Sequence, residues 1–315
     1  MTATADAAGR ALREPVTSHK GVACLRKENP LRLTRHSTLE HIVMSVQLGS
    51  YSPNNIMTLC SAYLDASGKL QRGNAAMTVA GFAAPVKKWI RFEREWQAVL
   101  DAEGVKIFHA TDFASCQGEF NSWRGQTVRR GKFVSALINV IKKNTNRLLS
   151  IGVEIDAWND VNQTYELEEA FHSPYALAGY AAVRLASKWA HRKGYKYPVE
   201  AFFEDGDEDQ RGLKALCKRH HGMEVIFQSK AKVIPFQAAD MIAWKQMNAM
   251  RNLLRLESEM QANPDVQTFE SMLREWDSMR KAAPNSGEFM VFGKARLIQN
   301  CVENGIPKRR PLVMR

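Results

Sequence analysis

The chain has 315 residues, 45% of them hydrophobic and 24% charged, which supplies a full core for one large domain with appendages. A formal charge of +11 favours a polyanionic partner, of which nucleic acid is the usual one. No apolar run approaches the roughly 18 residues needed to span a bilayer, and the first residues carry no signal-peptide core. The cysteines (Cys24, Cys60, Cys116, Cys217 and Cys301) are scattered, odd in number and without a CxxC pair. That pattern argues for reduced thiols in a cytoplasm and against a disulfide framework or a structural zinc site.

Residues 1–50 lack sustained periodicity and read as a poorly ordered basic extension, with Met44 and Met57 as alternative starts. Leu59 to Leu64 is an apolar run that reads as a buried strand, closed by Asp65 and broken by the turn pair Ser67-Gly68. Ala75 to Phe82 reads as its antiparallel partner. Pro85 opens a helix from Val86 to Glu103, with Gly104 as its C-cap. Val105 to Phe108 reads as a short strand delivering His109-Ala110-Thr111-Asp112-Phe113. A loop carrying Phe120 and Trp123 follows. Thr127 to Lys143 is then an amphipathic helix with Val128, Phe133, Val134, Leu137, Ile138 and Ile141 inward.

Leu148 to Ile155 reads as an alternating strand, and Asp156 to Phe171 is polar and ambiguous. Ser173-Pro174 is a cap followed by a first-turn proline, opening a helix that runs to about Arg192. Pro198 to Phe203 is the next strand, ending in Glu204-Asp205-Gly206-Asp207. A helix from about Asp209 to His220 and a strand from Glu224 to Phe227 follow. Pro235 begins a long helix ending near Leu256, and Asp265 to Lys281 forms another. Lys308 to Arg315 is a basic tail. Strands alternating with helices after an opening hairpin predict an α/β fold, a mixed sheet with helices on its faces.

Three acids close or open these elements: Asp65 and Glu204 at strand ends, Asp240 in the first turns of a helix. In an open α/β sheet ligands sit outside the carboxyl ends of the strands. Carboxylates gathered there repel one another and persist best around a hard divalent cation, Mg²⁺ or Mn²⁺. Metal-assisted phosphoryl transfer is the chemistry that follows, with a basic surface for the phosphate backbone. Each acid also has a plainer role. Asp65 can shape a turn, Glu204-Asp205-Gly206-Asp207 can be a solvated loop with Asp209 capping the helix after it, and Asp240 can favour the helix dipole. His109 and Asp112 follow a short strand as the acids do, and can join a metal site or move a proton; a loop histidine and an N-cap are the alternatives. Phe120, Trp123 and Trp158 are read as packing residues rather than base-stacking ones.

In order, Tyr63-Leu64-Asp65-Ala66-Ser67-Gly68, Phe108-His109-Ala110-Thr111-Asp112-Phe113, Phe203-Glu204-Asp205-Gly206-Asp207 and Phe236-Gln237-Ala238-Ala239-Asp240 resemble the family catalogued as domain of unknown function 3800, over roughly residues 57–250. The resemblance implies a ribonuclease H-like fold and a metal-dependent nuclease, of a family with members near mobile elements or phage-defence genes. It places Asp65, Glu204 and Asp240 as the metal ligands, expected to hold Mg²⁺ or Mn²⁺, and His109 and Asp112 beside the site; Asp205 and Asp207, next to Glu204 in sequence, are alternative ligands in its place. Ala66 stands where the family commonly has Glu. The expected organisation is an N-terminal extension over 1–50, a ribonuclease H-like domain over 51–260 and a helical extension with a basic tail over 261–315. The expected partner is RNA or DNA, with no membrane. The competing reading is a non-catalytic nucleic-acid- or partner-binding module that keeps the fold.

Overall fold

Strand β1, Cys60–Ser67, is the spine of a six-stranded sheet. The computed structural model describes residues 59–68, 75–195, 198–206, 209–221, 223–262, 267, 270, 271, 274 and 287–309. The expected N-terminal extension, Asp207, most of the helix expected over 265–281 and the last residues of the basic tail lie outside them.

Strand β2, Ala76–Pro85, pairs antiparallel with β1, and β3, Arg147–Glu154, pairs antiparallel with β2. On the other side β4, Glu200–Glu204, lies parallel to β1, and β5, Val225–Gln228, lies parallel to β4. Strand β6, Gly287–Phe292, adds to β3 in parallel, giving the order β5-β4-β1-β2-β3-β6. The mixed α/β sheet read from the sequence is therefore the fold observed.

The helices divide between the two faces. Helices α1 (Val86–Glu103), α3 (Thr127–Asn144) and the long α8 (Pro235–Ala262) cover one face together with the short α2 (Ala110–Ser115). Helices α4 (Ile155–Thr164), α5 (Leu167–Phe171), α6 (Pro174–Arg192), α7 (Gln210–His221) and α9 (Lys294–Glu303) cover the other. Alternation along β1 feeds both cores: Cys60, Ala62 and Leu64 face α6, while Leu59 and Tyr63 face α8. Phe120, Trp123 and Trp158 are buried packing residues, as the sequence suggested.

Local signals explain most boundaries. Gly104 ends α1 at φ 70, and the Ser173 hydroxyl caps α6 by accepting from Ala176 N at 3.1 Å. Asp209 caps α7, accepting from Gly212 N at 3.0 Å.

Several expectations need correction. Val105 to Phe108 is not a strand: Val105 N donates to the Leu100 carbonyl, Lys106 and Ile107 to the Glu119 carboxylate and Phe108 to Gln237, so no ladder is needed. Val128 is exposed at the start of α3, not inward. β3 does not alternate, since Leu148 to Val153 are all buried between two helical layers. The ambiguous stretch after it is helical, as α4 and α5. α8 continues past Leu256 to Ala262. Strand β6, within the expected 261–315 extension, pairs with β3 in the main sheet. Lys308 and Arg309 are tied back to the fold: Lys308 bridges Tyr165, and Arg309 donates to the Asn162 carbonyl at 2.7 Å.

Candidate carboxylate site at the sheet edge

The pleat and the register place the acids before any functional argument is made. Asp65 falls on the same face of β1 as Tyr63, two residues earlier, and Glu204 on the same face of β4 as Phe202. Tyr63 is registered on Phe202 and Leu64 on Phe203, so Asp65 and Glu204 come next, side by side. β1 leaves this edge toward β2 and β4 leaves it toward β5, so the crevice between their carboxyl ends is a topological switch point.

Helix α8 delivers the third acid by a matching rise. Its Phe236 packs edge-on against Tyr63, centroids 5.6 Å apart, and Tyr63 stacks on Phe202 at 5.0 Å. From Phe236 to Asp240 the helix climbs four residues, about 6 Å; from Tyr63 to Asp65 the strand advances two, about 6.7 Å. Asp240 therefore arrives over Asp65. Further on, Thr78 Oγ1 donates to the Ala243 carbonyl at 3.2 Å and keeps the helix along the strand.

Asp240 and one further residue of the same helix motif, Gln237, fix the loop before α2. Gln237 Oε1 accepts from Trp96 Nε1 at 3.0 Å and from Phe108 N at 2.8 Å. Asp240 Oδ2 accepts from Ala110 N at 2.7 Å. Gln237 and Asp240 lie three apart, on one face of α8. Together they clamp residues 108–110, and so place His109.

The three carboxylates meet at a residue that sequence reasoning missed. Lys230 Nζ lies 2.9 Å from Glu204 Oε2, 3.2 Å from Asp240 Oδ1 and 3.5 Å from Asp65 Oδ2. Its side chain is 11% exposed and that of Asp65 5%, so the network is largely withdrawn from water. Burial pushes the Asp65 carboxyl well above its ordinary range; Lys230 opposes this, while Glu204 and Asp240 add to it. Burial alone would lower the Lys230 pKa, but Asp65, Asp240 and Glu204 outweigh it and hold it above the usual lysine value. Lys230 is thus charged, and Asp65 keeps its proton to higher pH than a free aspartate.

A pH effect follows. The folded chain holds a proton at Asp65 that the unfolded chain has already released above pH ~4. Stability of the metal-free protein should therefore fall as pH rises from about 4 toward the raised Asp65 value. Thermal melts in EDTA across that range should show the fall flattened in Asp65→Asn; an identical slope in the variant would remove Asp65 as its source.

The acids open onto a cleft of about 520 Å³, whose lining includes His109, Asp205, Trp244 and Arg251. His109 Nδ1 is buried without a hydrogen-bond partner, 3.7 Å from Asp112 Oδ2. Asp112 does not line the cleft. It is half-exposed and reaches the site only through His109. Asp65 does not end its strand, which runs on with β2 to Ser67; it ends only the ladder with β4. Its Oδ1 accepts from the Ala66 amide at 2.8 Å.

Among the described residues no group of three His, Cys, Asp or Glu side chains is set to hold a metal ion as the chain stands. The donor set nonetheless has the right chemistry: hard carboxylate oxygens from three rigid elements, all in contact with one cation. The Lys230 ammonium lies 2.9–3.5 Å from these oxygens, whereas Mg²⁺ draws oxygens to about 2.0–2.1 Å. Lys230 carried no pattern that would have found it. The only available signal was a basic residue two positions past the end of β5, a third parallel strand ending at the same edge.

No family model matches this chain, and no curated protein matches it.

Proposed function

We propose that the chain is a divalent-metal-dependent nuclease of ribonuclease H-like fold, with Asp65, Glu204 and Asp240 as the metal ligands and RNA or DNA as the substrate. The observation that carries this reading is the meeting of three carboxylates, from β1, β4 and α8, at one cation in an open cleft. As a device for stability such a cluster is poor, since buried charges seldom repay their desolvation and apolar residues would serve as well. An acid perturbed as Asp65 is, in a cleft at a switch point, is better explained by chemistry. The resemblance of four ordered motifs to the domain of unknown function 3800 points the same way, as does the charge of +11.

Mg²⁺ or Mn²⁺ held by the three carboxylates would supply an activated water and stabilise the leaving oxygen. The chain's own groups do the rest. Asp65, kept rigid by the Ala66 amide, fixes one ligand direction, and Asp240, kept rigid by the Ala110 amide, fixes another. His109 lines the cleft at the end of the clamped loop and serves as proton donor or acceptor, with the Asp112 carboxylate 3.7 Å from its Nδ1. Trp244 and Arg251 lie on the same stripe of α8 as Asp240 and offer a stacking face and a phosphate contact. The proposed setting is a cytoplasm.

Hydrolysis of RNA, DNA and hybrid substrates with Mn²⁺ or Mg²⁺ against EDTA tests the reading; no metal-dependent product from any of them sinks it. His109→Gln should lower kcat by about 10²-fold or more, and Asp112→Asn should lower it by less, since the Asp112 carboxylate lies 3.7 Å from His109 Nδ1 and makes no hydrogen bond to it. Equal rates in wild type and His109→Gln would remove the histidine from the mechanism.

A second reading has one observation in its favour. Lys230 already neutralises part of the carboxylate charge, so a module that binds nucleic acid without cutting it would be self-consistent. It predicts salt-sensitive binding, no metal requirement and no product.

A further inference from the structure

We infer that Lys230 is a built-in placeholder: its ammonium holds Asp65, Glu204 and Asp240 together in the metal-free protein and leaves that position when a divalent ion binds. This rests on the metal-centre reading above and adds a residue to it.

Charge counting gives the reason. Three carboxylates from three separate elements would repel one another in a poorly solvated crevice. One ammonium in contact with all three offsets part of that repulsion without any metal. A divalent ion carries twice the charge and draws the same oxygens about 1 Å closer. Both cations cannot occupy the focus. The ammonium is 2.9 Å from Glu204 and 3.2 Å from Asp240, so an ion ligated by those oxygens meets a like charge at close range.

The attachment of Lys230 suits exchange. The residue sits on the connection between β5 and α8, where the amides of Lys232 and Val233 both donate to the Ser229 carbonyl, at 2.9 and 3.2 Å. The backbone is a closed turn, so the flexible four-carbon stem is what moves. Asp65, Glu204 and Asp240, by contrast, are fixed on two strands and a helix. The cleft beside them has room for a displaced side chain, with a volume of about 520 Å³.

The test reads Lys230 directly in the wild-type chain. An amine-reactive reagent is applied in EDTA and in saturating Mn²⁺, and labelling is mapped by peptide mass spectrometry. The neighbouring Lys232, which is exposed, is the internal standard. Labelling of Lys230 relative to Lys232 should rise at least fivefold with Mn²⁺. Calorimetry should show Lys230→Met binding Mn²⁺ at least tenfold tighter than wild type. The variant's thermal midpoint should fall in EDTA and recover with Mn²⁺; if it does not fold in EDTA, the labelling experiment on wild type still decides. Mn²⁺ binding to wild type with unchanged Lys230 labelling would overturn the exchange and leave the metal centre standing. Binding by Lys230→Met alone would also overturn it, because Lys230 would then be a permanent occupant. No Mn²⁺ binding by either protein would remove the metal centre and the exchange with it.

Discussion

Asp65→Asn should abolish metal-dependent hydrolysis, lowering kcat by about 10³-fold or more, while the protein stays folded. The size follows from what a held divalent ion contributes, several kcal/mol of transition-state stabilisation at roughly 1.4 kcal/mol per decade. Folding should survive because asparagine has the same shape and its carbonyl oxygen can still accept from the Ala66 amide, as Asp65 Oδ1 does at 2.8 Å. The variant loses one carboxylate from the set around Lys230 and a hard anionic ligand, not a packing group. Glu204→Gln should behave in the same way. Asp240→Asn should do likewise, since the amide oxygen can still accept from Ala110 N as Asp240 Oδ2 does at 2.7 Å. The measurement is kcat in saturating Mn²⁺ beside a thermal melt of each variant. An Asp65→Asn protein with wild-type kcat would eliminate the mechanism.

Gln237→Ala should be among the most destabilising single changes near the site. Its one side-chain oxygen satisfies two buried donors, Trp96 Nε1 and Phe108 N, and Gln237 itself is 3% exposed. Truncation leaves both donors without an acceptor, at about 1–3 kcal/mol each. A loss of about 4 kcal/mol is a large fraction of the roughly 5–15 kcal/mol that holds a domain together. At about 2–4 °C per kcal/mol for a domain of this size, Tm should fall by about 10 °C. Activity should fall as well, because Gln237 clamps the segment that carries His109 and offers the Ala110 amide to Asp240. A shift of under about 2 °C would show that water or a rearranged loop satisfies the two donors.

The site's acids were legible in the sequence for a physical reason. An apolar run closed by an acid breaks a local rule, which singles the acid out. Asp65 and Glu204 carried that signal, and their shared face followed from a period of two once the strands were placed. Asp240 was legible through its place near a helix start, though its direction depended on Phe236 packing on Tyr63, a contact between residues far apart in the chain. Lys230 was not legible. A single lysine after a four-residue strand has no period and no partner in sequence, and its meaning lies in three contacts from three other elements.

The same contrast holds for the fold. Val86–Glu103 and Pro174–Arg192 were readable because a proline, a cap or a glycine marks their ends. Val105 to Phe108 misled because its apolar residues suit a strand, while Glu119 and Gln237 take the amides that a strand would have paired. β6 was missed because its side chains are half-exposed through most of its length, which leaves neither a buried run nor clear alternation.

Central to this account is one cation site built by Asp65, Glu204 and Asp240. A crystal of the wild-type protein soaked in Mn²⁺, with an anomalous difference map, tests it most directly. The predicted result is a peak within ligand distance of all three carboxylates, with Lys230 moved aside. A map with no peak there, and Lys230 still seated among the three acids, would contradict it.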